Sequence, residues 1–324
     1  MSTTIPERTV ATALEQCLGA QPGEEVVLLT DDGVDAAVVA ALVAGLERRR
    51  CVPIVARLPR YEVPGSEPPA AVAGLLMGAA AAIELTSTFI GSSRARQRAT
   101  ANGVRYLAMP GVVADTFRLG GPFDVDFDRL RTVTERLAQA WSEARTYRLT
   151  TPGGTELSGS VAGRRGRALY GVAREPGAYM APPDVESGTA PVEGSSTGVV
   201  VIDADFLFMG QGPVTRPVAM HFVDGRLVSI EGGECDRLIE MMGRCHDDRM
   251  GNLAEVSMGL NPNGRVCGVA METESTLGSA HIALGNSIAY GGTVDAPAHL
   301  DCVMRQATLE LDGRPVLVNG VVPA

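Results

Sequence analysis

The sequence predicts an α/β protein in two parts: a parallel α/β domain over residues 1–147, then a β-rich α+β, metal-binding domain over residues 148–324. Three observations lead there. Apolar β-rich runs alternate with Ala- and Leu-rich helical stretches as far as Tyr147, and Asp-Gly turns between short apolar runs take over after it. Three of the four histidines, His246, His281 and His299, fall within 54 residues, beside carboxylates. A chain of 324 residues is long for one average domain and short for three, so two domains are expected.

The first alternation is the apolar run Val26 to Leu29, the helical stretch Ala36 to Leu46 and a second apolar run, Val52 to Ala56. Parallel strands need such a helical crossover, so this is a βαβ unit. A helix over Ala70 to Met77, a strand over Ala82 to Leu85, a helix over Ser93 to Asn102 and a strand over Tyr106 to Ala108 continue it. Helices then cover a parallel sheet. An amphipathic helix from Asp126 to Ala144 closes the domain and carries the only tryptophan, Trp141, as a packing residue.

Beyond Tyr147, Thr151-Pro152-Gly153-Gly154 reads as a turn. Phe222 to Val228 and Leu309 to Val316 read as hairpins closed by Asp224-Gly225 and Asp312-Gly313. The stretch Glu175 to Gly198 is too broken by Gly and Pro for a long helix, and no internal repeat is visible.

Composition narrows the function. Hydrophobic residues make up 45% of the chain and aromatics 4%, so Ala, Val, Leu, Ile and Met fill the core. Lys and Arg total 28 against 38 acidic residues, a net charge of -10, which repels phosphate backbones and anionic lipid. Neither nucleic acid nor a membrane is expected as partner. No run approaches the roughly 20 apolar residues that cross a bilayer, and the opening residues, with Glu7 among them, do not read as an export signal. A cytoplasmic location follows, in which the six cysteines, none in a CxxC pair, stay reduced. Two arginine clusters, Arg48 to Arg50 and Arg94 to Arg98, could hold anions, but arginines at a helix C-terminus ordinarily complement its dipole.

The chemistry concentrates in the last third, where His246, His281 and His299 lie near Glu255 and Asp301. In Ala298-His299-Leu300-Asp301-Cys302 the imidazole and carboxylate are two residues apart. On an extended strand they share a face at about 7 Å, which leaves room for one ion between them. His246 would complete two histidines and one carboxylate on one face of an octahedron, the ligand set of non-haem Fe(II) sites that keep positions open for substrate and dioxygen. A core histidine hydrogen-bonded to a carboxylate would produce the same His-x-Asp pattern. Glu255, however, sits in the apolar run Asn252 to Pro262, where an unpaired carboxylate is costly and needs a metal, a cation or a proton. His281 is likewise flanked by small and apolar residues.

The segments NLAEVSMGLNP from Asn252, ESTLGSAHIALG, and GGTVDAPAHLDCV, which ends at Val303, resemble the aminopeptidase T family of metallopeptidases and its short-chain branch, the 2,5-dihydroxypyridine dioxygenases. The likeness extends to ESGTAPVEGSSTG (Glu186 to Gly198), TELSGSVAGRR (Thr155 to Arg165) and SSRARQRATANGVRYLAMPGV, and so covers most of the chain. The dioxygenase branch implies a mononuclear non-haem Fe(II) enzyme that acts with dioxygen on a small hydroxylated, N-heteroaromatic ring. Its ligands would be His246, His299 and Asp301, with His281, Glu255 and Glu186 as catalytic residues beside them. The peptidase branch implies instead a pair of Zn, Co or Mn ions held by Glu186, Glu255, His281, His299 and Asp301. His246 has no counterpart in that branch, which favours the single ion. Dioxygenase-like relatives carry a histidine just before the SRAR-like segment, where this chain has Gly91-Ser92-Ser93. Ser92 and Arg94 are therefore expected to line the substrate pocket, without an imidazole there. The partners expected are a small-molecule substrate and dioxygen, and the assembly expected is a homo-oligomer. A metal-binding protein without catalysis is a third possibility, ranked last because the ligand set is intact.

Overall fold

The structure is a computed structural model that describes residues 4–62, 64–210 and 212–323. It divides into two compact units, one of Met1–Arg131 with Tyr170–Asp184, the other of Thr132–Leu169 with Val185–Ala324.

The first unit is the expected parallel α/β domain. After helix α1 (Glu7–Ala11), the elements β1 (Glu25–Thr30), α2 (Ala36–Arg48), β2 (Val52–Arg57), α3 (Ala70–Gly78), β3 (Ala81–Glu84), α4 (Arg94–Ala101) and β4 (Arg105–Ala108) follow in turn. All strand pairings are parallel and the order begins β2-β1-β3-β4. The chain thus winds to one side of β1 and then to the other, which makes the sheet doubly wound. Val26, Val27, Leu28 and Leu29 are wholly buried, as a strand covered on both faces requires. Asp35 caps α2 by accepting from the backbone N–H of Ala37, and Ser93 caps α4 by accepting from that of Arg96. A π-helical turn, Thr12–Cys17, continues α1; the sequence reading assigns no element there.

Buried Glu84 shapes the loop between β3 and α4. Its carboxylate accepts from the Ile90 backbone N–H at 2.7 Å and the Tyr106 hydroxyl at 2.9 Å, and burial raises its pKa to about 7. The same loop carries Ser92 and leads into Arg94, both exposed.

Helix α5 (Phe127–Glu143) matches the expected amphipathic helix, and Trp141 is wholly buried with its ring 6.5 Å from that of Tyr147. Next come β5 (Thr146–Thr150), β6 (Glu156–Ser160), β7 (Arg167–Leu169) and β8 (Tyr179–Met180). Strand β8 belongs to the first unit, where it pairs in parallel with β4. A single cut at residue 147 therefore does not describe the division. The reason is physical: two residues of strand leave no periodic pattern, and only their backbone hydrogen bonds assign them.

The second unit continues with β9 (Glu186–Thr189), β10 (Thr197–Ile202), β11 (Asp205–Phe206), β12 (Val218–Val223), β13 (Arg226–Gly232) and α6 (Cys235–Cys245). It ends with β14 (Leu253–Gly259), α7 (Ala270–Ser275), β15 (Ala280–Gly285), β16 (His299–Met304), β17 (Thr308–Leu311) and β18 (Arg314–Leu317). Seven strands form one antiparallel sheet, β13-β12-β10-β6-β5-β17-β18, and six form another, β11-β16-β15-β14-β9-β7. Both expected hairpins are present. Asp224 and Gly225 have φ of 47° and 71°, and Asp312 and Gly313 have 49° and 73°, the paired positive angles of two-residue turns that match strand twist.

In this unit α5 runs close over Gly166. A Cβ there would stand 2.1 Å from the Ala138 carbonyl oxygen and 2.6 Å from the Trp141 Cβ. Backbone cannot yield as a flexible side chain can, so Gly166→Ala is expected to cost about 3 kcal/mol or more, read as a fall in Tm. Among the described residues no helix is long and apolar enough to cross a membrane.

Candidate metal centre

The six-stranded sheet assembles the site by register. Ser257 of β14 lies opposite His281 of β15, and His281 lies opposite Val303 of β16. Glu255 lies opposite Ala283, which lies opposite Asp301; Gly285 lies opposite His299; Gly259 lies opposite Glu186 of β9. Directly opposed residues share a face, and so do residues two apart on one strand. Glu186, Glu255, His281, His299 and Asp301 therefore project from one face, with Gly188, Ser257, Gly259, Ala283 and Gly285 between them. These small residues leave the space into which the functional side chains converge.

A β-bulge sets which residue takes part. Pairing runs from Leu253 with Leu284 to Glu255 with Ala283, so one residue of β14 is skipped. Without it Ala254 would stand opposite Ala283 and Glu255 would face the other side.

Two groups of donor atoms result, each lying within 4.8 Å and sharing Glu255. In the inner group His281 Nε2 is 3.0 Å from Glu186 Oε2 and 3.4 Å from Glu255 Oε1, and all three side chains are buried. In the outer group His299 Nε2 is 2.9 Å from Glu255 Oε2 and 3.2 Å from Asp301 Oδ1. Two of its side chains keep access to solvent, 25% for His299 and 14% for Asp301, while Glu255 is wholly buried. Only the outer group can meet a substrate without local opening.

The surroundings orient these atoms. His299 Nδ1 donates to the Asn286 backbone carbonyl at 2.7 Å, which leaves Nε2 as the free ligand atom. The Ser257 hydroxyl donates to Glu255 Oε1. The Tyr290 hydroxyl donates to Glu186 Oε1 at 3.1 Å, and its ring stacks on that of His299. His281 Nδ1 is buried without a partner among the described residues.

Three carboxylates and two neutral imidazoles would concentrate three negative charges in a mostly buried cluster. Burial works to raise Glu255, but hydrogen bonds from both imidazoles hold it at about 2. Burial likewise works to lower both imidazoles; nevertheless Glu186 beside His281 and Asp301 beside His299 raise them well above the usual histidine range. Burial pushes Glu186 up. The cluster thus demands positive charge, which protons supply when no metal is bound and which a divalent ion supplies by displacing them. The geometry fits an ion: bonds of about 2.1 Å at right angles separate donor atoms by roughly 3 Å, as the outer group does.

Of the residues singled out from the sequence, the structure brings Glu186, Glu255, His281, His299 and Asp301 together. His246 is in neither donor group; it is exposed at the C-terminus of α6 with a left-handed φ of 48°. Ser92 and Arg94 belong to the first unit. Sequence reading missed Tyr290, Asn286 and Ser257. The first two lie on the connection from β15 to β16, whose path local patterns do not reveal. Ser257, two residues after Glu255 on an apolar strand, was legible as a same-face neighbour.

Fold and site together define a two-unit α/β protein with a candidate metal centre on one face of an antiparallel sheet. The chain belongs to the NicX family, whose model, described as 2,5-dihydroxypyridine 5,6-dioxygenase, matches residues 7–324. A curated relative, 2,5-dihydroxypyridine 5,6-dioxygenase of Pseudomonas putida strain KT2440, is 24% identical over 193 residues, covering 56% of this chain and 55% of that protein. The match thus spans about half the length of the relative. Among solved structures, 2,5-dihydroxypyridine dioxygenase from P. putida KT2440 superimposes with a TM-score of 0.79 at 19% identity, covering 98% of this chain and 96% of that one. Wild-type AmpT from Thermus thermophilus superimposes with a TM-score of 0.69 at 16% identity, covering 98% of each. At these identities both likenesses establish the fold.

Proposed function

We propose that the chain is a metal-dependent dioxygenase that inserts dioxygen into a small hydroxylated N-heteroaromatic ring, using one Fe(II) ion at the outer group. The observation that carries the proposal is the partly open His299–Asp301 end of a carboxylate–imidazole cluster, in a member of this family. The ion would supply a Lewis acid that gathers substrate and dioxygen and passes electrons between them.

The chain's own residues would do the rest. His299, with Nδ1 held by Asn286, presents Nε2, and Asp301 presents an oxygen from the same strand face. His246, exposed just after α6, is proposed as the third ligand. Glu255, already 2.9 Å from His299 Nε2, is the specific reason to keep a second ligand set of Glu255, His299 and Asp301. Glu186 and His281 form a buried pair that could take and return a substrate proton by way of Glu255, which lies 3.4 Å from His281 Nε2 and 2.9 Å from His299 Nε2. Ser92 and Arg94 are proposed to contact the substrate.

The test is metal analysis together with oxygen uptake. Protein prepared without oxygen is expected to hold about one iron per chain and to consume dioxygen with 2,5-dihydroxypyridine, losing activity in air. Two zinc, cobalt or manganese ions and hydrolysis of a peptide substrate would instead establish the aminopeptidase type.

A further inference from the structure

We propose that Tyr290, braced by Arg167, is the positioning residue of this centre and sets the plane of the His299 ring. The inference rests on His299 being a metal ligand.

The hydrogen bond from His299 Nδ1 to the Asn286 carbonyl holds one atom of the ring. It leaves the imidazole free to pivot about the N–H···O axis, and a pivot would swing Nε2 away from the oxygens of Glu255 and Asp301. The Tyr290 ring removes that freedom. Its centroid is 5.1 Å from that of His299 and the planes are 4° apart, within the spacing at which ring pairs attract.

Tyr290 is itself held at several points. Its hydroxyl donates to Glu186 Oε1 at 3.1 Å. The Arg167 guanidinium carbon lies 4.5 Å from its ring centroid, a cation–π distance, while Arg167 Nη1 donates to the Ala289 backbone carbonyl. The connection that carries Tyr290 is anchored where Thr293 donates to Glu193 Oε1 from its backbone N–H at 2.7 Å and its hydroxyl at 3.0 Å. Strand β7 through Arg167, strand β9 through Glu186 and the turn Ile288–Tyr290 therefore converge on one imidazole. Tyr290 also joins the two donor groups, since its hydroxyl touches the inner one and its ring the outer one.

The test titrates Mn2+ and Co2+ into the metal-free full chain and records the visible spectrum of bound Co2+, so it does not depend on activity. Tyr290→Phe keeps the ring and is expected to bind Mn2+ within about threefold of wild type. Tyr290→Leu removes the stack and is expected to bind 10- to 100-fold more weakly, the cost usual for losing an orienting partner, with an altered Co2+ spectrum. Arg167→Met is expected to weaken binding by a smaller factor. Wild-type affinity and spectrum in Tyr290→Leu overturn the proposal, as does a Tyr290→Phe protein as impaired as Tyr290→Leu. Should Tyr290→Leu fail to fold, Arg167→Met decides: unchanged affinity and spectrum there overturn it. A wild-type chain that binds neither ion overturns the metal reading itself, so the two failures are distinguishable.

Discussion

His299→Ala and Asp301→Ala are each expected to reduce bound metal to background. In the outer group these two residues offer one nitrogen and one oxygen from a single strand face, 3.2 Å apart. Loss of a direct ligand should exceed the 10- to 100-fold that loss of an orienting partner costs. The metal-free proteins should differ in an informative way. Asp301→Ala relieves one of three clustered carboxylates but also takes from His299 its partner at 3.2 Å, and Asp301 keeps access to solvent, so its metal-free stability should change less than that of His299→Ala. His299→Ala takes from Glu255, wholly buried, its partner at 2.9 Å, and should cost about 1–3 kcal/mol before any metal is considered. Metal analysis and thermal unfolding of both variants check the pair of expectations. Full metal occupancy in either would remove that residue from the ligand set.

Glu255→Gln and His246→Ala together identify the third ligand. With His246 in that role, His246→Ala loses the ion and Glu255→Gln keeps about one per chain, because the amide still fills the space. The reverse pattern, metal lost in Glu255→Gln and kept in His246→Ala, would move the role to Glu255. The effect on the fold separates them further. Glu255 accepts from Ser257 and lies beside both imidazoles, so the amide substitution disturbs a buried network. His246 is exposed, and its replacement should leave Tm unchanged in the metal-free chain.

Legibility followed the range of the interactions. The βαβ alternation and the Asp-Gly hairpins could be read directly, since period and turn chemistry are local and both domains contain them as expected. His299 and Asp301 could be paired because a strand places residues two apart on one face whatever surrounds it. Helix α6 carries an amphipathic pattern that the sequence reading passes over, whereas the π-helical turn and the exchange of segments between the units leave no comparable local mark.

Local pattern marked Glu255 as a buried carboxylate in need of a partner, since an apolar strand cannot solvate it. It did not say which partner, or toward which face the side chain points. That was decided by the bulge before Glu255 and by antiparallel register across β9, β14, β15 and β16, which bring Glu186 and Asp301, far apart in the chain, onto one surface. Register is a property of pairs of strands, and no single strand encodes it. The stack of Tyr290 on His299 likewise depends on how the connection from β15 to β16 folds back, so its role arises from tertiary structure alone.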